Sequence, residues 1–398
     1  MACRAAKDHV NILCLDGGSS SLKFAYYATE DITQRRLLRG AAEGLGQSST
    51  TFWIEDADGA RQGHTAQNAA VDFATVLARI FKTIASSDAG EPAAIGHRIV
   101  FGGPDHVSPA LVKPELLDDL ERFVPFDPMH LRSQLDLVHS VTSQAPNTPQ
   151  VLCFDSAFHH DMPAVAQRIP LPRSVGPLIR RYGYHGLSYE YIMSVLGVGA
   201  GRRVLIAHLG SGASLAAVRD GHSLDTTMGF TPLGGLMMST RPGDMDPGVL
   251  LYLVASGTSA SDLTELLTEQ SGLIGVSESS PNMEALLLRA ADEPRAAEAI
   301  DLFVYQIVKH AGAMIAVLGG LDTVVFTGGI GEHAAKIRAL VADGLSHFGI
   351  RLDPARNADD ANVISHDDSA VAVRVIPTDE SLMIARHVRS LLAKTGPK

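Results

Sequence analysis

The chain is short of cysteine and of cations. Its 398 residues hold three cysteines, Cys3, Cys14 and Cys153. That is an odd number, and two of them sit inside apolar runs without metal-ligand spacing, so neither a disulfide framework nor a cysteine metal site is indicated. Buried free thiols in a reducing cytosol are expected instead. Lys plus Arg number 33 against 44 Asp plus Glu, a net charge of −11, which argues against a surface that binds nucleic acid or an anionic membrane through clustered cations. No run approaches the ~20 apolar residues of a spanning helix, and the opening MACRAAKDHV lacks the apolar core of a secretory signal. A soluble, cytoplasmic protein is expected. Hydrophobic residues at 45% and charged residues at 19% are ordinary for a folded chain, and the length suits two or three domains with a sizeable core.

What is present is organised around NILCLDGGSSSLKFAYY, Asn11 to Tyr27. Two apolar runs read as strands, and the turn between them is almost wholly Gly and Ser. Gly17 and Gly18 let the backbone turn without a Cβ, Ser19, Ser20 and Ser21 offer hydroxyls, and Lys23 offers a cation. The stretch reads either as a polar hairpin turn or as a cradle for phosphate, with Asp16 at the strand end placed to hold Mg²⁺ directly or through water.

Short alternating runs continue to about Trp53, and Thr65 to Ser86 has helical spacing. In AAIGHRIVFGGPDH an apolar strand delivers Arg98 to a Gly102-Gly103-Pro104 turn. Arg98 is either a structural ion pair or a planar fork for carboxylate or phosphoryl oxygens. A helix is expected over Lys113–Phe123 with Pro114 in its first turn, then a second amphipathic helix, then a buried strand ending on Asp155, a position favoured by site residues in α/β proteins. His159 and His160 are read as adjacent strand residues facing opposite ways, in surface or packing roles. His185, in the Gly-flanked YGYHGLS, precedes a helix and is read as structural or as ligand-facing.

The opening design then returns. RRVLIAHLGSGASLAAV has a strand from Val204 to Ala207, the polar His208, a small-residue turn and a second strand. Two such hairpins in separate halves point to a duplicated domain with two phosphate loops facing each other across a cleft. The Gly- and Pro-rich loop after it carries Arg241, a second candidate anion clamp, with Asp244 and Asp246 expected to cap the helix starting near Pro247. Helices are expected over most of Asp262–Leu267 and Asn282–Gly320, and LDTVVFTGGIGEHAAKI reads as strand, Gly-rich turn and helix start. Near the end, Thr378 is placed to cap a helix whose first turn holds Asp379 and Glu380.

Taken together, LDGGSSSLKF, GHRIVFGG, FDSAFH, RRYGYHG, HLGSGASLAAV, DTTMGFTPLGGL, RPGDMDPG, VFTGGIGE and VIPTDESLMIAR resemble the acetate and propionate kinase family, in its order and over essentially the whole chain. The resemblance implies an α/β fold of two duplicated actin-like (ribonuclease H-like) domains around a nucleotide cleft, here residues 1–155 with 383–398 and residues 156–382, in a homodimer. It implies reversible, Mg²⁺-dependent (or Mn²⁺-dependent) transfer of a phosphoryl group from ATP to acetate, giving acetyl phosphate and ADP. By position it gives Arg98 and Arg241 as clamps, Asp155 in the family's catalytic acid position and His185 as transition-state stabiliser. Asp16 and Glu380 fall on the metal positions; Ser19, Ser21 and Lys23 on the first phosphate loop; His208, Leu209, Gly210, Ser211 and Gly212 on the second. Asn282, Met283 and Glu284 with Gly329, Ile330, Gly331 and Glu332 fall beside the adenosine, and Val100, Tyr184 and Pro232 around the acyl group. Acetate is already ionised at pH 7, so Asp155 is expected to orient Mg²⁺, water or an arginine rather than take a proton.

The chain departs from the family pattern at Asp16 (usually Asn), Phe101 (commonly His), Tyr184 (commonly Phe), Glu284 (Arg), His333 (Asn) and Phe126-Asp127-Pro128 (His-Asn-Pro). These changes leave open propionate or another short acid as acceptor, and a donor such as pyrophosphate. A non-catalytic, chaperone-like nucleotide-binding module is the reading from another class. The joint presence of Arg98, Asp155, His185 and Arg241 weighs against it, since a binding module needs no clamp for a second anion.

Overall fold

The first hairpin forms as its Gly/Ser turn dictates: strands β1 (Val10–Gly17) and β2 (Ser21–Glu30) pair antiparallel, with Asp16 opposite Lys23, and the Gly18 N–H closes the turn on the Ser21 carbonyl at 2.8 Å. This is a computed structural model, and it describes residues 10–30, 33–67, 71–87, 90–127, 130–197 and 201–395. Cys3 and Pro128 lie outside the described residues. The chain divides into two compact units, Met1–Ala157 with Asp379–Lys398, and Phe158–Thr378.

In the first unit the hairpin continues into a meander of β3 (Thr33–Glu43), β4 (Ser49–Asp56) and β5 (Arg61–Gln67), so the strands run on to Gln67 and the helix expected from Thr65 is Phe73–Ala85. β6 (Ala94–Ile99) and β8 (Gln150–Phe154) lie parallel to β1, and β7 (Ala110–Leu111) closes the edge. The sheet order is β5-β4-β3-β2-β1-β6-β8-β7. Alternation sorts the faces. Leu13 and Leu15 enter a core with Val76, Leu77 and Ile80 of Phe73–Ala85 and with Leu137 and Val141 of helix Leu131–Gln144.

The opposite face carries Gly96, where helix Glu380–Thr395 crosses the sheet. A Cβ on Gly96 would lie 2.4 Å from Ile384 Cγ2 and 2.7 Å from Val388 Cγ2. Only glycine admits so close an approach. Gly96→Ala is therefore expected to lower stability by roughly 1–3 kcal/mol, the usual cost of overpacking a core, read as a reduced urea midpoint at unchanged slope.

The second unit repeats the plan. β9 (Arg203–Leu209), β10 (Ala213–Arg219) and β11 (His222–Thr226) form an antiparallel run, followed by β12 (Thr323–Thr327) and β13 (Ala372–Val375), each parallel to its neighbour. The order β11-β10-β9-β12-β13 matches β3-β2-β1-β6-β8 in sequence position and direction, which is the duplication read from the two hairpins. Helix Gly186–Leu196 packs Tyr189, Ile192 and Leu196 on one face.

Helix Pro294–Leu318 lies against β9, β10 and β11. It is long and apolar enough by length and composition to cross a membrane, a run the sequence reading did not find. Ile300, Phe303, Ile307, Ala311 and Ile315 recur at helical spacing and are buried in the unit's core, the pattern of an amphipathic core helix.

Candidate active site

Three adjacent parallel strands end together. In register, Leu15 of β1 faces His97 of β6 and Arg98 faces Cys153 of β8. Period-two alternation therefore turns Asp16, Arg98 and Asp155 to one face, the face covered by Glu380–Thr395. Arg98 Nη1 reaches Asp16 Oδ1 at 3.2 Å and Nη2 donates to Asp155 Oδ2 at 2.9 Å. Glu380 arrives with its helix and sets Oε2 3.5 Å from Nε, an ion pair without hydrogen-bond geometry. The first unit thus gathers Asp16, Arg98, Asp155 and Glu380. The Asp155 side chain is fully buried and holds the guanidinium, the arginine-orienting option among those the sequence left open.

Burial works against the Arg98 charge, and the three carboxylates outweigh it, so its pKa stands well above the ordinary value. Burial pushes the Glu380 carboxyl up to about 7; Arg98 and Lys23 oppose that shift, while Asp155 and Asp16 add to it. Between the ordinary carboxylate range and pH 7 the folded chain holds this proton more firmly than the unfolded chain does. Stability from this group is therefore present at low pH and is lost as pH rises through about 7. Thermal melts from pH 4.5 to 8 should show a decline that Glu380→Gln removes.

Three carboxylates against one guanidinium leave the cluster short of positive charge, and carboxylate oxygens are the donors a hard divalent cation takes. Among the described residues no three His, Cys, Asp or Glu side chains are grouped closely enough to ligate a metal by themselves. Asp16 and Glu380 therefore fit an ion held largely through water and bound phosphate.

Ser19 and Lys23 are exposed beside Ser21 on the first turn. Gln134, a residue the sequence reading passed over, accepts from the Val100 N–H at 2.8 Å and donates to the Gly17 carbonyl at 3.2 Å. It ties the Arg98 strand end to that turn. Beside buried Val100, the rings of Phe101, Phe123 and Phe126 cluster at centroid distances of 5.6, 6.3 and 5.8 Å.

In the second unit, β9 extends through His208 and Leu209, so the turn proper is Gly210-Ser211-Gly212. His185 stands immediately before helix Gly186–Leu196 in the left-handed region, φ 59°. Its Nδ1 meets Ser214 Oγ at 2.9 Å, and its ring stacks on His208 at 4.2 Å. A Cβ on Gly212 would stand 2.9 Å from Arg241 Nη2 and 3.1 Å from His185 Nε2, so both groups converge on the turn where the chain offers only a glycine.

Arg241 Nη1 donates to the Pro232 carbonyl at 2.8 Å, and the Ser239 N–H bonds the Ser211 carbonyl at 3.1 Å. Asp246 caps the helix Pro247–Ala255 as expected. Asp244 does not. It accepts from the Gly235 N–H at 2.7 Å and its own N–H returns to the Gly235 carbonyl at 2.8 Å, bracing the Arg241 loop.

Tyr184 is buried, its hydroxyl donating to the Phe230 carbonyl at 2.7 Å. Its carbonyl meets Nε2 of His159, which occupies a 3-10 turn, Ala157–His159, rather than a strand. The run Gly329-Ile330-Gly331-Glu332 belongs to a short helix, Gly328–His333, that follows β12 without a loop. Glu332 Oε1 accepts from the N–H groups of Gly328 at 2.9 Å and Thr378 at 3.1 Å, so it staples the unit internally. Thr378 caps no helix; Asp379 does, accepting from Leu382 N at 2.9 Å.

Buried Arg338 donates to the Gly331 and Glu332 carbonyls at 3.0 and 2.8 Å, a brace with no motif to announce it. Asn282 caps helix Met283–Arg289, Met283 is buried in the core and Glu284 is exposed. Next to them a pocket of about 450 Å³ is lined by Leu287, Ala290, Ile300 and Leu340, with Asp301 and Lys336 as its charged groups.

The chain matches known proteins over nearly its whole length. The acetokinase family profile matches residues 11–386. The chain is 43% identical over 389 residues to an acetate kinase of Rhodopseudomonas palustris, covering 95% of this chain and 97% of the relative. Among solved structures, it matches Porphyromonas gingivalis acetate kinase with TM-score 0.85 and 34% identity, over 96% of this chain and all of that one. It matches a propionate kinase from Francisella tularensis with TM-score 0.89 and 32% identity, over 95% and 98%.

Proposed function

The chain belongs to the acetokinase family, and from that premise we propose that it is a Mg²⁺-dependent kinase transferring a phosphoryl group reversibly between ATP and acetate. The observation that carries the reading is the convergence of Arg241 and His185 on Gly212. A carboxylate oxygen attacks the γ-phosphorus, the bond from phosphorus to the β-bridging oxygen breaks, and ADP leaves with that electron pair. The ionised acid brings its own nucleophile, so no residue removes a proton. The difficulty is bringing anions together and neutralising charge spread over the equatorial phosphoryl oxygens. Arg241 and His185 supply cation and donor to those oxygens, Arg98 holds the acid's carboxylate, and buried Asp155 fixes the Arg98 fork.

Asp16 and Glu380 would hold Mg²⁺, which supplies countercharge to the nucleotide phosphates when bound. Ser19, Ser21 and Lys23, and the stretch from His208 near the end of β9 through the turn to Gly212, bind phosphate. The base lies beside Asn282–Glu284 and Gly329–Glu332. Val100, Tyr184 and Pro232 bound the small acyl group. The reaction runs in a reducing cytoplasm, where buried Cys14 and Cys153 stay free.

The likeness to a propionate kinase and the Phe101, Phe123 and Phe126 cluster beside Val100 favour a second reading in which propionate is the better acceptor. Hydroxylamine trapping of acyl phosphate with acetate, propionate and butyrate, against ATP and pyrophosphate and with and without Mg²⁺, separates the two. Highest kcat/KM for acetate with ATP supports the first; highest for propionate supports the second. No acyl phosphate from any pair would reject both.

The enzyme is a homodimer built on helix Pro247–Ala255, where Val249, Leu251, Tyr252 and Val254 stand 45 to 71% exposed and no side chain is buried. An apolar helix covered only in part, at Leu250 and Leu253, is the kind of surface a second copy covers. Light scattering should give twice the chain mass for the wild type and the monomer for Leu251→Glu with Tyr252→Glu.

A further inference from the structure

Three histidines of the second unit meet a serine hydroxyl in the same way. Nδ1 of His159, His185 and His208 lies 2.7 Å from Ser223 Oγ, 2.9 Å from Ser214 Oγ and 2.8 Å from Ser188 Oγ respectively. For His159 the proton positions follow from chemistry alone. Its Nε2 is 3.1 Å from the Tyr184 carbonyl, which can only accept. Nε2 therefore carries a hydrogen, and in the neutral ring Ser223 donates to Nδ1.

The same accounting applies to His185. Ser214 is fully buried and its hydroxyl also bonds the hydroxyl of Tyr189, likewise fully buried. Either hydroxyl can donate in this contact; the phenol is the more acidic and so the better donor to the serine oxygen. The single Ser214 hydrogen is then left for His185 Nδ1. The order Tyr189, Ser214, His185 leaves the ring hydrogen on Nε2. That nitrogen lies 3.1 Å from where a Cβ on Gly212 would stand. His208, stacked on His185 and held at Nδ1 by Ser188, has its Nε2 3.9 Å from the corresponding point on Gly210.

We propose that Ser214 and Tyr189, with Ser188 beside them, are positioning residues that hold His185 and His208 as neutral Nε2–H tautomers, so that both rings present a donor to the Gly210–Gly212 turn. This rests on the reading that the turn binds phosphoryl oxygens. It adds how the imidazoles are made donors without being charged. An Nδ1–H tautomer would aim a lone pair at an anion and repel it. A stacked pair of imidazoliums would add like-charge repulsion, beside the Arg241 guanidinium that already reaches the turn. Serine contacts at Nδ1 avoid both.

The test uses the full chain labelled with ¹⁵N-histidine, free of substrate, at pH 8. Long-range ¹H–¹⁵N spectra report the tautomer of each ring, and His185→Gln assigns the His185 signals. The expected result is a protonated Nε2 and an unprotonated, hydrogen-bonded Nδ1. Ser214→Ala and Tyr189→Phe should each shift His185 toward a tautomer mixture. Losing one oriented donor outright costs about 10²-fold in kcat; with the right tautomer still partly populated, the loss in each variant should be about ten-fold, at KM values within about two-fold.

An Nδ1–H or doubly protonated His185 in the wild type would overturn the proposal, as would an unchanged tautomer in both variants. The spectra need no turnover. Wild-type protein that shows Nε2–H and makes no acyl phosphate would therefore sink the proposed function and leave this inference standing.

Discussion

Arg241→Ala is expected to lower kcat for acyl phosphate formation by about 10³-fold or more, the range of an arginine that stabilises a transferring phosphoryl group, while the protein stays folded. The Arg241 loop has braces besides its guanidinium. It is braced by the reciprocal Asp244–Gly235 bonds, by the Ser239–Ser211 bond, and by Gly272, whose absent Cβ would lie 2.2 Å from the Met238 carbonyl and 2.8 Å from Arg241 N. Among the contacts the substitution removes, the bond to the Pro232 carbonyl is worth about 1 kcal/mol. Steady-state kinetics beside a urea melt checks both halves. A melt shifted far beyond that figure would make Arg241 structural.

Arg98→Met should fail differently, losing both activity and stability. Arg98 faces Asp16, Asp155 and Glu380 within 3.5 Å, and Asp155 is fully buried. Removing the cation leaves the buried Asp155 carboxylate unpaired beside two partly exposed ones, a loss of about 3–5 kcal/mol at neutral pH. The sign with pH follows. Protonation relieves the repulsion, so the gap between variant and wild type should narrow as pH falls toward the carboxylate range. Urea melts at pH 5 and 7.5 read this directly. A gap that is constant with pH would mean the loss comes from packing alone.

Much of this was legible in the sequence because the strand ends announce themselves. Two apolar runs around Gly and Ser specify a hairpin whatever surrounds them, and the second copy betrayed the duplication. Arg98 and Asp155 could be placed because each lies within a residue of the end of an apolar strand that runs toward a turn. Glu380 could not: it reaches Arg98 because Gly96 lets a helix from the far end of the chain lie on the sheet, a long-range contact with no local trace. The sequence did not show the short helices Ala164–Gln167, Gly272–Ser277 and Pro354–Ala358, each of which carries too few turns to show a period.

Arg338 and Gln134 were missed because polar residues within amphipathic helices look solvent-facing until their partners are known. Ser188 and Tyr189 were findable. They follow His185 by three and four residues, one helical turn, on the face that His185 begins.

The most direct test of phosphoryl transfer to a carboxylate is an oxygen tracer. Acetate labelled with ¹⁸O at both carboxyl oxygens is incubated with ATP, Mg²⁺ and the enzyme, the acetyl phosphate is cleaved by hydroxylamine at its carbonyl carbon, and the released phosphate is weighed by mass spectrometry. Attack by the acetate oxygen on phosphorus predicts one ¹⁸O in each phosphate released. Phosphate free of ¹⁸O would contradict it, as would the absence of any acetyl phosphate from folded protein that binds ATP.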